Sequence, residues 1–509
     1  MKKIISIALL AGLLLCPASR ARDAALVRQQ YDMVKSRLDD GGDLMIVANV
    51  DGLVEAGVQK LVEMASMAAS TQPSAPGLPA ALEKLPAFLK ANGFYAVTAV
   101  GFSAVPKDNG LNTIKAFVGR DAAAAALPLW RGLFGLQGIE MITPAYLPAD
   151  TEIVRTFAAD PEQLWKLSRE AVTRLGTPEG AMAFEQSLAM STMMLGVPLD
   201  TLISSLGGEG FLSMQLSKTA SAELPLGGAG KTMTVAEPSV LLGFTVKDET
   251  LATLIKTRFC GEGLPAALTE KDGAEIITMS MKLPSPIPMQ ITLAVKSNVF
   301  LIGSNPGVIN RALAAAESGE GLLASEKFKT AFGSLPMKNN GMMYFSPECA
   351  EFFKTIQQAA VMNDSGADAD MNAAIMKLFG SDEPQQSAMV ILNTRNGIQL
   401  QGNTTFSGRD VLAGAVFAPV GIVAGMMLPA VSSARAKAQT VACMNNLRQI
   451  QAAKDQWAIE KGMERGAPVS PSDIEPYLRE IPTCPAGGSY ILNAVGEEPT
   501  CDHPGHGMK

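Results

Sequence analysis

VRTFAADPEQLWKLSREAV, Val154–Val172, is the stretch whose reading decides the fold. Its first five residues read as a strand. Asp160 follows, with Pro161 directly after it, and then apolar residues recur at helical spacing. An aspartate side chain can accept a bond from an orphan N–H of the first turn, and proline at the first helical position has no N–H to lose. The same order recurs elsewhere. LMIVANVDGLVEAGVQKLVEMA (44–65) has it at Asp51, and LLGFTVKDETLATLIKTRF (241–259) at Asp248. VFLIGSNPGVINRALAAA (299–316) has it at Asn305 and Pro306, and GMMYFSPECAEFFKTIQQAA (341–360) at Ser346 and Pro347.

Hairpin signals lie between these units. Phe94 to Ser103 turns through PKDNG into Thr113 to Val118. Ile291 to Val295 turns at Lys296-Ser297-Asn298 into Val299 to Gly303. Met389 to Asn393 turns near Asn396-Gly397 into Ile398 to Thr405, and Asn-Gly is a strong two-residue hairpin signal. Strand pairs alternating with single helices predict an α+β fold, with helices packed on antiparallel sheets in two similar halves, 22–230 and 231–405. A long apolar-to-amphipathic helix and a small C-terminal hairpin are expected to follow. Loop-like composition marks 70–82, 223–233 and 362–371.

The chain has 509 residues, 47% hydrophobic and 18% charged, with net charge −7. That composition predicts a globular protein of more than one domain. The acidic balance gives no basic footprint for nucleic acid. Met is frequent, and Met190, Met193 and Met194 at helical spacing are expected to pack in a core. Lys2 and Lys3, the apolar run Ile4–Leu15 and Ser19-Arg20-Ala21 form an export signal over 1–21, with cleavage after Ala21. Cys16 follows Leu15, not the small residue that lipid modification favours.

Val411 to Ala434 carries no charge over 24 residues. As a helix it would be about 36 Å long, against a hydrocarbon core of about 30 Å. It reads as a membrane-spanning segment, with a buried core helix as the alternative. Val441, Met444, Leu447, Ile450 and Trp457 continue as one apolar face, with Arg435, Lys437, Arg448 and Lys454 among them.

Chemistry-bearing motifs are few. PLGGAGKT (225–232) has Pro225 where a phosphate-binding loop needs its first glycine, so it reads as a solvated loop. His503 and His506, both near the C-terminus, are the only histidines. No nucleophile–histidine pair is therefore available in 22–405, and the chain is expected not to be an enzyme and to need no cofactor. Cys484, Cys501, His503 and His506 could supply four ligands to zinc. A Cys484–Cys501 disulfide and free thiols are the competing readings.

LPAVSSARAKAQTVACMNNLRQIQAAKDQWAIEKG, with CPAGGSY and the later Cys501, resembles type IV pilin-like and type II secretion pseudopilin-like proteins. The resemblance covers about 85 residues, 425–509. It implies an apolar stem running into an amphipathic helix, then a short hairpin module with a second cysteine. Residues 22–405 loosely resemble uncharacterised bacterial periplasmic envelope proteins. The stem here follows a large domain and lacks the usual leader and glutamate. The expectation is an exported α+β domain, tethered to the inner membrane by 411–434, with 435–509 as the pilin-like tail. Its role would be non-enzymatic, structural or interactive, with the membrane and envelope or secretion-system proteins as partners. The alternative is a periplasmic module binding a small apolar ligand between its two halves.

Overall fold

The computed structural model describes residues 24–71, 78–135, 138–225, 232–260, 266–271, 273–279, 290–363, 385–408, 440, 443–478, 482–484 and 488–503. The export signal at 1–21 and the apolar run 411–434 lie outside them. Among the described residues no helix is long and apolar enough to cross a membrane. The chain divides into two compact units, Met1–Val411 and Leu412–Lys509.

The first unit contains strands β1 (Leu44–Asn49), β2 (Val97–Pro106), β3 (Asn112–Arg120), β4 (Ile139–Glu140), β5 (Thr151–Ala158), β6 (Leu206–Pro225), β7 (Thr232–Val246), β8 (Ala266–Lys271) and β9 (Ala274–Met279). It continues with β10 (Thr292–Lys296), β11 (Val299–Gly303), β12 (Lys338–Asn339), β13 (Gly341–Phe345), β14 (Ser387–Thr394) and β15 (Gly397–Thr404). Thirteen of them form one antiparallel sheet in the order β1-β2-β3-β15-β14-β13-β5-β6-β7-β11-β10-β9-β8, while β4 and β12 pair separately. The fold is α+β, as the strand–cap–helix units imply.

The sheet is four meanders laid edge to edge: β1–β3, β15–β13 in reverse, β5–β7, and β11–β8 in reverse. In the first three, a helical excursion leaves after the first strand and a hairpin closes the unit. The two predicted halves do not stand apart as lobes. Strands β13–β15 come late in the chain, yet they sit between β3 and β5. The boundary near 230 separates β6 from β7, which pair along most of their length. The stretch 70–82, read as a loop, is partly helical, since helices Leu53–Thr71 and Leu78–Ala91 flank it.

Side-chain oxygens mark where several of these helices begin. Asp160 Oδ1 accepts from the Gln163 N–H at 3.1 Å, Asn305 Oδ1 from Val308 at 2.9 Å, and Ser346 Oγ from Cys349 at 3.0 Å. Asp248 sits one residue further out and accepts from Thr250 at 2.9 Å. An Asn305→Ala variant should lose about 1 kcal/mol, read as a lower urea midpoint. An unchanged midpoint would show that the helix Pro306–Ser318 is held by packing alone.

One sheet face is covered by the helices Pro306–Ser318 and Glu326–Phe332. Leu147, Val154, Phe211, Leu241, Leu301, Ile309, Phe328 and Tyr344 are buried there. Gly243 is required at this face, because a Cβ there would lie 2.4 Å from Phe211 Cε1. The other face is covered at its ends. Leu251 and Ile255 of the helix Thr250–Phe259 pack on Val246, Leu293 and Phe300 at one end. Trp130 and Phe134 pack on Ile398 and Ile391 at the other. Between them no described helix covers the face. Register places Met343 opposite Arg155, and Arg155 opposite Leu212. Phe157 and Val240 lie two residues along on the same side. Leu212 is 52% exposed and Val240 42%.

Met190, Met193 and Met194 are not core residues. They are exposed on the helix Pro178–Leu195, which buries no residue. This helix packs on the helices Pro161–Leu175 and Leu199–Ser204. It lies one layer out from the sheet, so its apolar spacing faces outward.

The second unit is built on a helix over 443–461. Cys443, Leu447, Ile450, Ala453, Lys454, Trp457 and Ala458 form its buried stripe. A short helix, Pro471–Ile474, follows. The hairpin of β16 (Tyr490–Ile491) and β17 (Thr500–Cys501) closes the unit, with Tyr490 opposite Cys501.

Candidate functional site

In the second unit the amphipathic stripe begins with a thiol. Cys443 lies in the helix, Cys484 in a later loop and Cys501 on β17. Their three Sγ atoms all lie within 4.8 Å of one another. Cys443 and Cys484 are buried and Cys501 is half-buried. Leu447 and Tyr490 pack around them.

The surrounding hydrogen bonds fix this meeting point. One turn after Cys443, Asn446 Nδ2 donates to the Thr483 carbonyl at 3.0 Å, next to Cys484. It also donates to the Tyr490 hydroxyl at 3.0 Å. Tyr490 in turn hydrogen-bonds the Cys443 thiol. Burial pushes that thiol up to about 11, and the neighbouring thiols of Cys501 and Cys484 add to the rise, while Tyr490 opposes it. Burial also raises the Tyr490 hydroxyl above its ordinary value. Gly488 makes room for the cluster. A Cβ built there would come within 2.8 Å of both Cys501 Sγ and His503 Cβ. The His503 side chain therefore starts beside the Cys501 thiol.

Of the residues named from sequence, Cys484 and Cys501 come together, and the His503 Cβ lies at the same Gly488 surface as the Cys501 Sγ. His506 lies outside the described residues. No disulfide joins Cys484 to Cys501, or any other pair among Cys260, Cys349, Cys443, Cys484 and Cys501. Instead of a pair, the fold assembles a triad, because the helix brings Cys443 into the same spot. The missing member was signalled by the odd cysteine count after Cys16. It was signalled too by Cys-x-Asn-Asn-Leu, whose first Asn-bearing turn holds the loop and hairpin.

The first unit offers buried charge with structural partners. Both Glu152 carboxylate oxygens accept from Lys327 Nζ at 2.7 Å. Nearby Cys349 is fully buried, and burial together with the Glu152 charge pushes its thiol up to about 12. A thiol so protonated is a poor nucleophile at neutral pH. Arg120, 3% exposed, donates through Nη2 to Asn393 Oδ1 at 2.8 Å and to the Thr394 carbonyl at 2.7 Å. Its guanidinium lies 4.9 Å from the centre of the Trp130 ring. This latches the end of β3 to the β14–β15 turn.

Two hollows of this unit are lined by many polar side chains, while a third, about 450 Å³, has Leu216, Val235, Ala236 and Phe352 in its wall. One of about 710 Å³ is lined by Asp150, Ser217, Thr219, Glu237, Asn305 and Arg311, among others. A larger groove, about 1610 Å³, includes Arg131, Asp160, Glu162 and Lys247, which pair among themselves. Neither is walled by Met and Phe, the lining expected of a cleft for an apolar ligand. Of PLGGAGKT, Pro225 ends β6 and Thr232 begins β7, while 226–231 lie outside the described residues. No helix follows to hold a phosphate. Compared with protein-family models, with curated proteins and with solved structures, the chain gives no match, so its function has to be read from its own geometry.

Proposed function

We propose that this chain is a non-enzymatic structural and interaction protein of the bacterial envelope. In this reading, residues 22–405 are exported, 411–434 tether them to the inner membrane, and the pilin-like tail associates with a type II secretion or pilus-like assembly. The observation that carries the interaction role is the middle of the sheet, which no described helix covers on this side. Phe157, Leu212, Val240 and Met343, on four adjacent strands, expose apolar surface on one side. Exposed contiguous apolar patches mark interaction sites, and monomeric proteins rarely leave large ones bare. A protein surface is the occupant favoured here, since Arg155 stands in the middle of the patch as a hydrogen-bonding anchor.

The test is the native mass of the full-length chain, extracted from bacterial envelopes. Wild type should run as an assembly larger than one chain. Leu212→Glu with Val240→Glu should shift it to the monomer, with circular dichroism unchanged, because two carboxylates cannot be desolvated at an apolar contact. A wild-type chain that is already monomeric, or a variant that assembles equally well, would sink the proposal.

A further inference from the structure

We propose that Cys443, Cys484 and Cys501 bind one zinc ion, with His503 as the fourth ligand. Three thiols on three separate elements converge within 4.8 Å. Thiolates about 2.3 Å from a tetrahedral zinc sit about 3.8 Å apart, so small side-chain shifts complete the site. A disulfide would use only two of the three and leave one buried thiol facing the bond. Soft thiolates select zinc over magnesium or calcium, and three cysteines with one histidine form a closed structural set.

His503 follows Cys501 by two residues, and its Cβ lies at the same Gly488 surface as the Cys501 Sγ. Its imidazole would approach the three thiols from that side. A metal site also needs groups around the ligands that orient them. The Tyr490 hydroxyl supplies one, bonded to Cys443 and itself held by Asn446. On binding, each thiol gives up its proton to solvent and each sulfur donates a pair to the ion. No electron is transferred, and no oxidant is required.

A structural metal adds folding free energy to a small unit of this kind. Zinc would link the helix, the 482–484 loop and the hairpin. The site is therefore structural. It holds the tail module in one shape, and its failure would leave the sheet domain folded.

The full-length chain, purified under reducing conditions, should contain one zinc per chain by elemental mass spectrometry. Two or three thiols should become reactive to a thiol reagent only after a strong chelator is added. Cobalt replacing zinc should give the visible absorption of a tetrahedral thiolate site. His503→Ala should alter that spectrum, and Tyr490→Phe should weaken zinc by about tenfold. Chelation of the wild type keeps the test open even if Cys443→Ser fails to fold. A zinc-free protein with all thiols reactive would overturn the proposal, as would an intact mass showing a Cys484–Cys501 disulfide. A cobalt spectrum unchanged in His503→Ala would overturn the four-ligand set. Loss of assembly in Leu212→Glu/Val240→Glu tests a different unit, so the two proposals fail independently.

Discussion

A Lys327→Met variant is expected to lose about 3 kcal/mol of stability, because it leaves a buried carboxylate without its cation. Glu152 is 2% exposed, on β5 at the face covered by the helix Glu326–Phe332. Lys327 Nζ donates to both of its oxygens at 2.7 Å. Around the pair stand Tyr344 and Cys349, whose hydroxyl and thiol are raised first by burial and then by the Glu152 charge. Neither can replace the ammonium as a counter-charge. Lys327 keeps 28% of its side-chain exposure, so water can reach the site in part. That places the loss at the low end of the range for broken buried pairs. The double variant Glu152→Gln/Lys327→Met should recover most of it, since the charge to be desolvated is gone. Urea midpoints of the three proteins decide the matter. A single variant within about 0.5 kcal/mol of wild type would mean that Glu152 is solvated and the pair is an ordinary surface contact.

Local chemistry was legible in the sequence wherever one residue does one job. Asp160, Asn305 and Ser346 cap helices because their oxygens reach a first-turn N–H. The Asn396-Gly397 turn joins β14 to β15, and Gly397 leads directly into the ladder. What stayed hidden depends on which edges meet. Nothing in 385–405 says that β15 pairs with β3, nearly three hundred residues earlier, because the strand's alternation fits any apolar neighbour. Apolar spacing also cannot tell a core from an outer layer. Met190, Met193 and Met194 have the periodicity of buried residues, yet they face outward from a helix one layer above the sheet. The cysteine site was half legible for the same reason. Cys484, Cys501 and His503 are close in sequence, whereas Cys443 joins them only through the packing of the helix. The charges along that helix were the least legible, because nothing in the sequence separates the buried Lys454 from the exposed Arg448.

Lys454→Met is accordingly expected to destabilise the second unit by about 2–3 kcal/mol, even though it removes a buried charge. Lys454 has no exposed surface. Its Nζ donates to the Leu492 carbonyl at 2.6 Å and the Glu497 carbonyl at 2.5 Å, with Asn493 O at 3.5 Å. These oxygens turn inward because the loop is tightly wound. Asn493 is left-handed at φ 52° and Gly496 at φ 81°. Asn493 Nδ2 closes the loop onto the Glu498 carbonyl at 2.7 Å. Methionine nearly matches lysine in length and apolar volume, so packing against the helix survives. What is lost is the donor, and two buried carbonyls are left unpaired. Part of that loss is returned because the ammonium no longer has to be desolvated, which keeps the figure below the sum of two orphaned acceptors. Lys454→Ala should cost more, since it adds a cavity. Amide exchange resolved along the chain reads the effect where it falls. Residues 443–461 should exchange faster in the variant, while β5, β6 and β7 keep their protection, because the two compact units carry separate cores. Unchanged exchange over 443–461 would mean that solvent satisfies the loop carbonyls and that the lysine is dispensable.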